Sequence, residues 1–121
     1  MNKKILIVDD EPNIVMSLEY AFKKKDFDVF IARDGTEALE IAEKETPDLI
    51  LLDIMMPEMD GYETLKRVRN NKELQHTKVV FLSAKSKEKD IEKGLKMGAD
   101  SYMTKPFSIK KIISDIEGLL G

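Results

Sequence analysis

Four strand-like runs in this sequence stop on a group that could do chemistry. Ile5-Leu6-Ile7-Val8 stops on Asp9-Asp10, Leu49-Ile50-Leu51-Leu52 on Asp53, Val79-Val80-Phe81-Leu82 on Ser83, and Ser101-Tyr102-Met103-Thr104 on Lys105-Pro106. A single charged residue after a strand usually only faces solvent. Polar stops at equivalent positions on several strands point instead to a shared site. Three carboxylates in one pocket raise each other's pKa, so the cluster is unfavourable when empty. A hard divalent cation relieves this, and Mg²⁺ favours a few carboxylates together with water and phosphate oxygens. A carboxylate can attack phosphorus to give an aspartyl phosphate. Lys105 would then neutralise charge on the phosphoryl oxygens, and Ser83 could donate a hydrogen bond to the attached group. The chemistry indicated is Mg²⁺-assisted phosphoryl transfer to a carboxylate.

The elements that must position these groups can be read from the hydrophobic pattern. Pro12 suits the first turn of a helix, where its missing N–H is no loss, and Ile14, Leu18, Ala21 and Phe22 follow at helical spacing. A weakly alternating strand is predicted over residues 27–32. Asp34-Gly35-Thr36 then caps a helix carrying Ala38, Leu39 and Ala42, which Pro47 closes. The stretch from Ile54 to Gly61 is punctuated by Pro57 and Gly61 and reads as a loop. Tyr62, Leu65 and Val68 begin a third helix, and Ile91 and Leu95 lie on a fourth with few apolar anchors. Gly94 inside that fourth helix costs about 1 kcal/mol relative to Ala. Ile109, Ile112, Ile113, Ile116 and Leu120 make a strong stripe on the last helix. Continuous apolar strands alternating with helices imply an α/β fold, a parallel sheet covered on both faces with right-handed crossovers. In such sheets ligands bind beyond the carboxyl ends of the strands.

Whole-chain properties narrow the function further. A length of 121 residues suits one domain and leaves no room for a separate output domain. The absence of cysteine excludes disulfides, thiolate metal sites and Cys nucleophiles. No apolar run approaches a membrane span, and the N-terminus lacks a signal-peptide pattern, so the expected location is cytoplasmic. The net charge of −3 gives no footprint for direct nucleic-acid binding. The charge is uneven: residues 85 to 111 are net +4 and the remainder is net −7. That segment is either a solvated lysine-rich surface or a docking face for an acidic partner. The first turn, Asp9-Asp10-Glu11-Pro12, is anionic and lacks glycine, which disfavours dinucleotide binding in the usual phosphate-loop mode.

The acid pair Asp9-Asp10, the segment Asp53-Ile54-Met55-Met56-Pro57-Glu58-Met59-Asp60-Gly61, Ser83-Ala84 and Lys105-Pro106 together resemble the receiver domains of two-component response regulators, in particular chemotaxis-regulator-like ones. The resemblance spans residues 1–121, in order and at the family's spacing. It implies a flavodoxin-like (βα)5 sandwich with parallel strand order 2-1-3-4-5. It also implies that Asp53 is the phosphoacceptor, taking its phosphoryl group from a phosphohistidine on a sensor histidine kinase or histidine phosphotransfer protein. Asp10 and Asp53 would ligate Mg²⁺ directly, Asp9 mainly through water, and Met55 through its backbone carbonyl. Lys105 would pair with the phosphoryl group, and the bond to Pro106 would be cis. Ser83 and Tyr102 resemble the pair that moves on phosphorylation. The output would be an altered face of helix 4, strand 5 and helix 5 toward an unidentified target or output domain, with homodimerisation on phosphorylation a further expectation. Such a domain is a signalling switch rather than an enzyme, supporting only its own phosphotransfer and autodephosphorylation.

Duller roles exist beside these. Ser83 could merely terminate its strand, Tyr102 could be an ordinary half-buried aromatic, and Pro57 and Gly61 serve as loop punctuation. His76, the sole histidine, sits in a polar stretch and is assigned no catalytic role. Two rival functions differ in class. A phosphatase of the haloacid-dehalogenase type needs a second Asp two residues after the nucleophile, where this chain has Met55, which cannot transfer a proton. A receiver-like binding module that is never phosphorylated would lack acceptor groups that this chain retains.

Overall fold

The computed structural model describes residues 2–121. The strands are β1 (Lys4–Val8), β2 (Asp28–Ala32), β3 (Leu49–Leu52), β4 (Lys78–Ser83) and β5 (Ser101–Thr104). The helices that alternate with them are α1 (Pro12–Lys24), α2 (Gly35–Glu45), α3 (Gly61–Asn70), α4 (Glu88–Lys96) and α5 (Ile109–Leu120), with one 3₁₀ turn at Lys72–Leu74. All strand pairs are parallel, in the order β2-β1-β3-β4-β5. This is the flavodoxin-like strand order 2-1-3-4-5 expected from the sequence.

Side chains two residues apart on a strand share a face, and the core divides accordingly. Ile5, Ile7, Leu49, Leu51, Val80 and Leu82 pack with Leu18 and Phe22 of α1 and with Ile112, Ile113 and Ile116 of α5. Leu6, Val8, Ile50, Leu52, Val79 and Phe81 pack on the opposite face with Ala38 and Ala42 of α2 and Leu65 and Val68 of α3. Because both faces are covered, β3 is buried at every position, which is why it reads as an unbroken aliphatic run. Asp34, Asp60 and Ser108 cap their helices by accepting the backbone N–H three residues on.

The α4–β5 edge is held differently. The α4 helix has no side-chain cap, and Gly94 is its one buried residue. Leu95, an apparent anchor in the sequence, is 45% exposed. Gly94 is more than a weak point in the helix. A Cβ there would lie 2.9 Å from Cδ2 of Phe81 and 3.0 Å from Cδ2 of Tyr102, so the glycine permits a close approach of helix to sheet. Among the described residues no helix is long and apolar enough to cross a membrane.

Candidate functional site

Register places the acids together. Val8 is paired with Leu52 across β1 and β3, so Asp9 and Asp53 leave the sheet side by side. Their backbones are fixed there: Asp9 N–H donates to the Ala32 carbonyl at 3.1 Å and Asp53 N–H to the Val8 carbonyl at 2.9 Å. With the exposed Asp10 they offer carboxylate oxygens that all lie within 4.8 Å of one another. Asp9 and Asp53 are themselves buried, at 3% and 4% exposure.

Lys105 reaches this cluster from the end of β5, which β4 holds through a 2.9 Å bond from Lys105 N–H to the Ser83 carbonyl. Its ammonium donates to Asp9 Oδ2 at 3.0 Å and to Glu11 Oε1 at 2.9 Å, and stands 3.6 Å from Asp53 Oδ2. The Lys105–Pro106 peptide is cis.

The electrostatics follow from burial. Desolvation, then the Asp9 carboxylate, push the Asp53 carboxyl up from 3.8 to about 6, against the opposing pull of Lys105 and the backbone N–H groups of Met55 and Ile54. For Lys105, burial disfavours the charged form, but hydrogen bonds to Glu11 and Asp9 and the Asp53 charge prevail, and its pKa is raised.

The loop from Asp53 to Gly61 wraps tightly against the acid. Met55 N–H points to Asp53 Oδ1 at 3.4 Å, while the Met55 side chain is 58% exposed. Gly61 N–H donates to the Ile54 carbonyl at 2.9 Å. A Cβ on Gly61 would sit 2.5 Å from the Asp53 carbonyl oxygen and 2.7 Å from Ile54 Cα. Gly61 thus sets the path of the backbone that carries Asp53.

Asp9, Asp10, Asp53 and Lys105 form one cluster. Ser83 and Tyr102 are joined through the backbone of Lys85. The fully buried Ser83 Oγ accepts from Lys85 N–H at 3.1 Å, and the Tyr102 hydroxyl donates to the Lys85 carbonyl at 2.7 Å. Tyr102 also lies in an aromatic row with Phe81 and Tyr62, and the Lys93 ammonium covers the Tyr62 ring at 4.1 Å. Two contributors were not evident from the sequence. Glu11 reads there only as part of an anionic turn, although its place directly after the acid pair is a signal. Lys85 acts through its backbone, which leaves no trace in residue type.

The chain belongs to the response regulator receiver domain family, which its residues 5–117 match. Over 120 residues it is 48% identical to the alkaline phosphatase synthesis transcriptional regulatory protein PhoP of Bacillus subtilis. That match covers 99% of this chain and 49% of PhoP, so the chain spans about half the length of this relative. Among solved structures it resembles the receiver domain of Francisella response regulator 1452, at 36% identity and a TM-score of 0.91 over 98% of this chain and 97% of that one. It is also similar to the chemotaxis protein CheY4 of Vibrio cholerae, at 29% identity and a TM-score of 0.91 over 98% of each chain. The domain is accordingly a phosphoacceptor of two-component signalling, and its acidic pocket could bind a metal.

Proposed function

We propose that Asp53 is the residue phosphorylated, and that it takes the phosphoryl group from a phosphohistidine of a sensor histidine kinase or histidine phosphotransfer protein. The observation that carries this is the buried Asp53 carboxylate beside Asp9 and Asp10, with the Lys105 ammonium 3.6 Å away. An Asp53 oxygen attacks phosphorus, the bond from phosphorus to the imidazole nitrogen breaks, and its electron pair stays on the imidazole. Lys105 supplies a fixed positive charge where the phosphoryl oxygens arrive.

The donor set fits Mg²⁺: it is all oxygen, and burial, with the Asp9 charge beside it, raises the Asp53 pKa, a cost of ionisation that a cation would relieve. Asp9, Asp10, Asp53 and the Met55 carbonyl would hold the ion. Bound there, Mg²⁺ would supply further neutralisation of the phosphoryl oxygens.

Ser83 and Tyr102 would carry the change outward. Turning the Ser83 hydroxyl toward a phosphoryl oxygen alters the Lys85 backbone contacts it shares with Tyr102. This favours a second arrangement of the segment from Ser83 to Lys111, where α4 is thinly anchored. The partners on that face would be an output domain or separate target, or a second copy of the phosphorylated chain. The setting is cytoplasmic, and the sole hydrolysis supported is that of the domain's own aspartyl phosphate.

Intact mass after incubation with Mg²⁺ and acetyl phosphate tests this for wild type and Asp53→Ala. One phosphoryl adduct on wild type alone, lost when Mg²⁺ is chelated, is the expected result. An adduct that persists on Asp53→Ala would move the acceptor elsewhere. No adduct from either acetyl phosphate or a phosphorylated kinase would leave a binding module.

A further inference from the structure

Glu11 is the last residue before α1 and sits where a side chain could cap the helix, yet it makes no capping hydrogen bond. Among the described residues its carboxylate has one polar partner, Lys105 Nζ, at 2.9 Å. An ammonium has three N–H donors. In Lys105 one is directed to the buried Asp9 at 3.0 Å and one to Glu11, while Asp53 lies at 3.6 Å.

Resting on the phosphoacceptor function above, we propose that Glu11 is a positioning residue: it holds Lys105 on the β1 side of the site and competes with the phosphoryl group on Asp53 for that ammonium. One N–H remains for a phosphoryl group on Asp53, and a second hydrogen bond to it requires Lys105 to give up a partner. The Asp9 side chain is 3% exposed, and a buried acid stripped of its cation is strongly destabilised. The Glu11 side chain is 57% exposed, so water replaces its lysine readily. Glu11 is therefore the partner released. Its pairing with Lys105 opposes every state in which Lys105 gives the phosphoryl group a second hydrogen bond, and so tunes how readily the site accepts and keeps one.

The test uses beryllofluoride with Mg²⁺, a non-covalent stand-in for the phosphoryl group, in a double-mutant cycle of Glu11→Ala and Lys105→Met. With Lys105 present, Glu11→Ala is expected to tighten beryllofluoride binding by about twofold to fivefold, the range of an exposed ion pair. In the Lys105→Met background the same change should have no effect. Equal tightening in both backgrounds would show simple charge repulsion and overturn the proposal, as would no tightening with Lys105 present. The Lys105 ammonium NMR resonance gives a second readout that does not need the Lys105→Met protein. It should differ between wild type and Glu11→Ala in the free proteins and coincide once both hold beryllofluoride; a difference that persists unchanged in the bound proteins would overturn the proposal. Wild type that binds no beryllofluoride at all would instead sink the phosphoacceptor function itself, and this inference with it.

Discussion

Gly94 approaches Phe81 so closely that a Cβ on the glycine would stand 2.9 Å from the phenyl ring. Two opposing effects meet there. Ala is favoured over Gly in a helix interior by about 1 kcal/mol. Phe81 is fully buried, however, and cannot yield without disturbing Tyr62, which meets it edge-on, and Tyr102, which lies tilted against it. Overpacking of this kind typically costs about 1–3 kcal/mol. Gly94→Ala should therefore destabilise the domain by about 1 kcal/mol net, measured by urea unfolding. Gly118, in α5 with nothing within 4 Å of its Cβ position, provides the control. Gly118→Ala should stabilise by up to about 1 kcal/mol. Stabilisation by both substitutions would mean that α4 moves outward freely and the close approach imposes nothing.

Gly61 poses the same question nearer the chemistry. The atoms its Cβ would meet are backbone, the Asp53 carbonyl oxygen and Ile54 Cα, so no side chain can turn aside. Gly61→Ala should cost about 2 kcal/mol or more and should shift the backbone that carries Asp53. Unfolding in urea checks the first effect. The second is read as slower adduct formation from acetyl phosphate in the fraction that remains folded. Full stability with unchanged phosphorylation would show that the loop from Asp53 to Asp60 rearranges without consequence.

These two glycines also mark what the sequence could and could not convey. The β1, β3 and β4 strands announce themselves as apolar runs because both faces of the sheet are covered, and parallel order then brings Asp9, Asp53 and Lys105 to one edge. That much follows from periodicity and topology. The third dimension of packing does not. In the sequence Gly94 is a helix-weakening residue; only the distance to Phe81 and Tyr102 shows that any larger residue would collide. The Glu11–Lys105 pair joins residues 94 positions apart, and nothing in either residue's neighbourhood specifies the other. Arg69 likewise ties α3 to the start of β5 through Asp100 at 2.8 Å and the carbonyls of Thr77 and Gly98, a junction with no local signature.

The raised Asp53 carboxyl yields a prediction whose sign is fixed. Its ordinary value is 3.8, and in the fold it is about 6, because burial and Asp9 oppose ionisation. The folded state therefore holds this proton more tightly than the unfolded chain. Below about pH 4 both states are protonated and Asp53 imposes no penalty. As pH rises from about 4 to 6 the unfolded chain ionises first, so stability falls, and the full penalty is in place above about 6. At about 1.4 kcal/mol per pKa unit, the penalty at neutral pH is on the order of 3 kcal/mol as an upper limit. Asp53→Asn removes the titration. With Mg²⁺ chelated, the variant should be more stable than wild type by about 1–3 kcal/mol near pH 7.5, and the advantage should shrink toward zero near pH 4. Urea midpoints of both proteins at the two pH values decide it. An advantage of equal size at both would show that Asp53 titrates normally in the fold. Adding Mg²⁺ should then narrow the gap at neutral pH, because an ion that binds only the folded wild type stabilises it by mass action, about 2.7 kcal/mol at one hundred times its Kd.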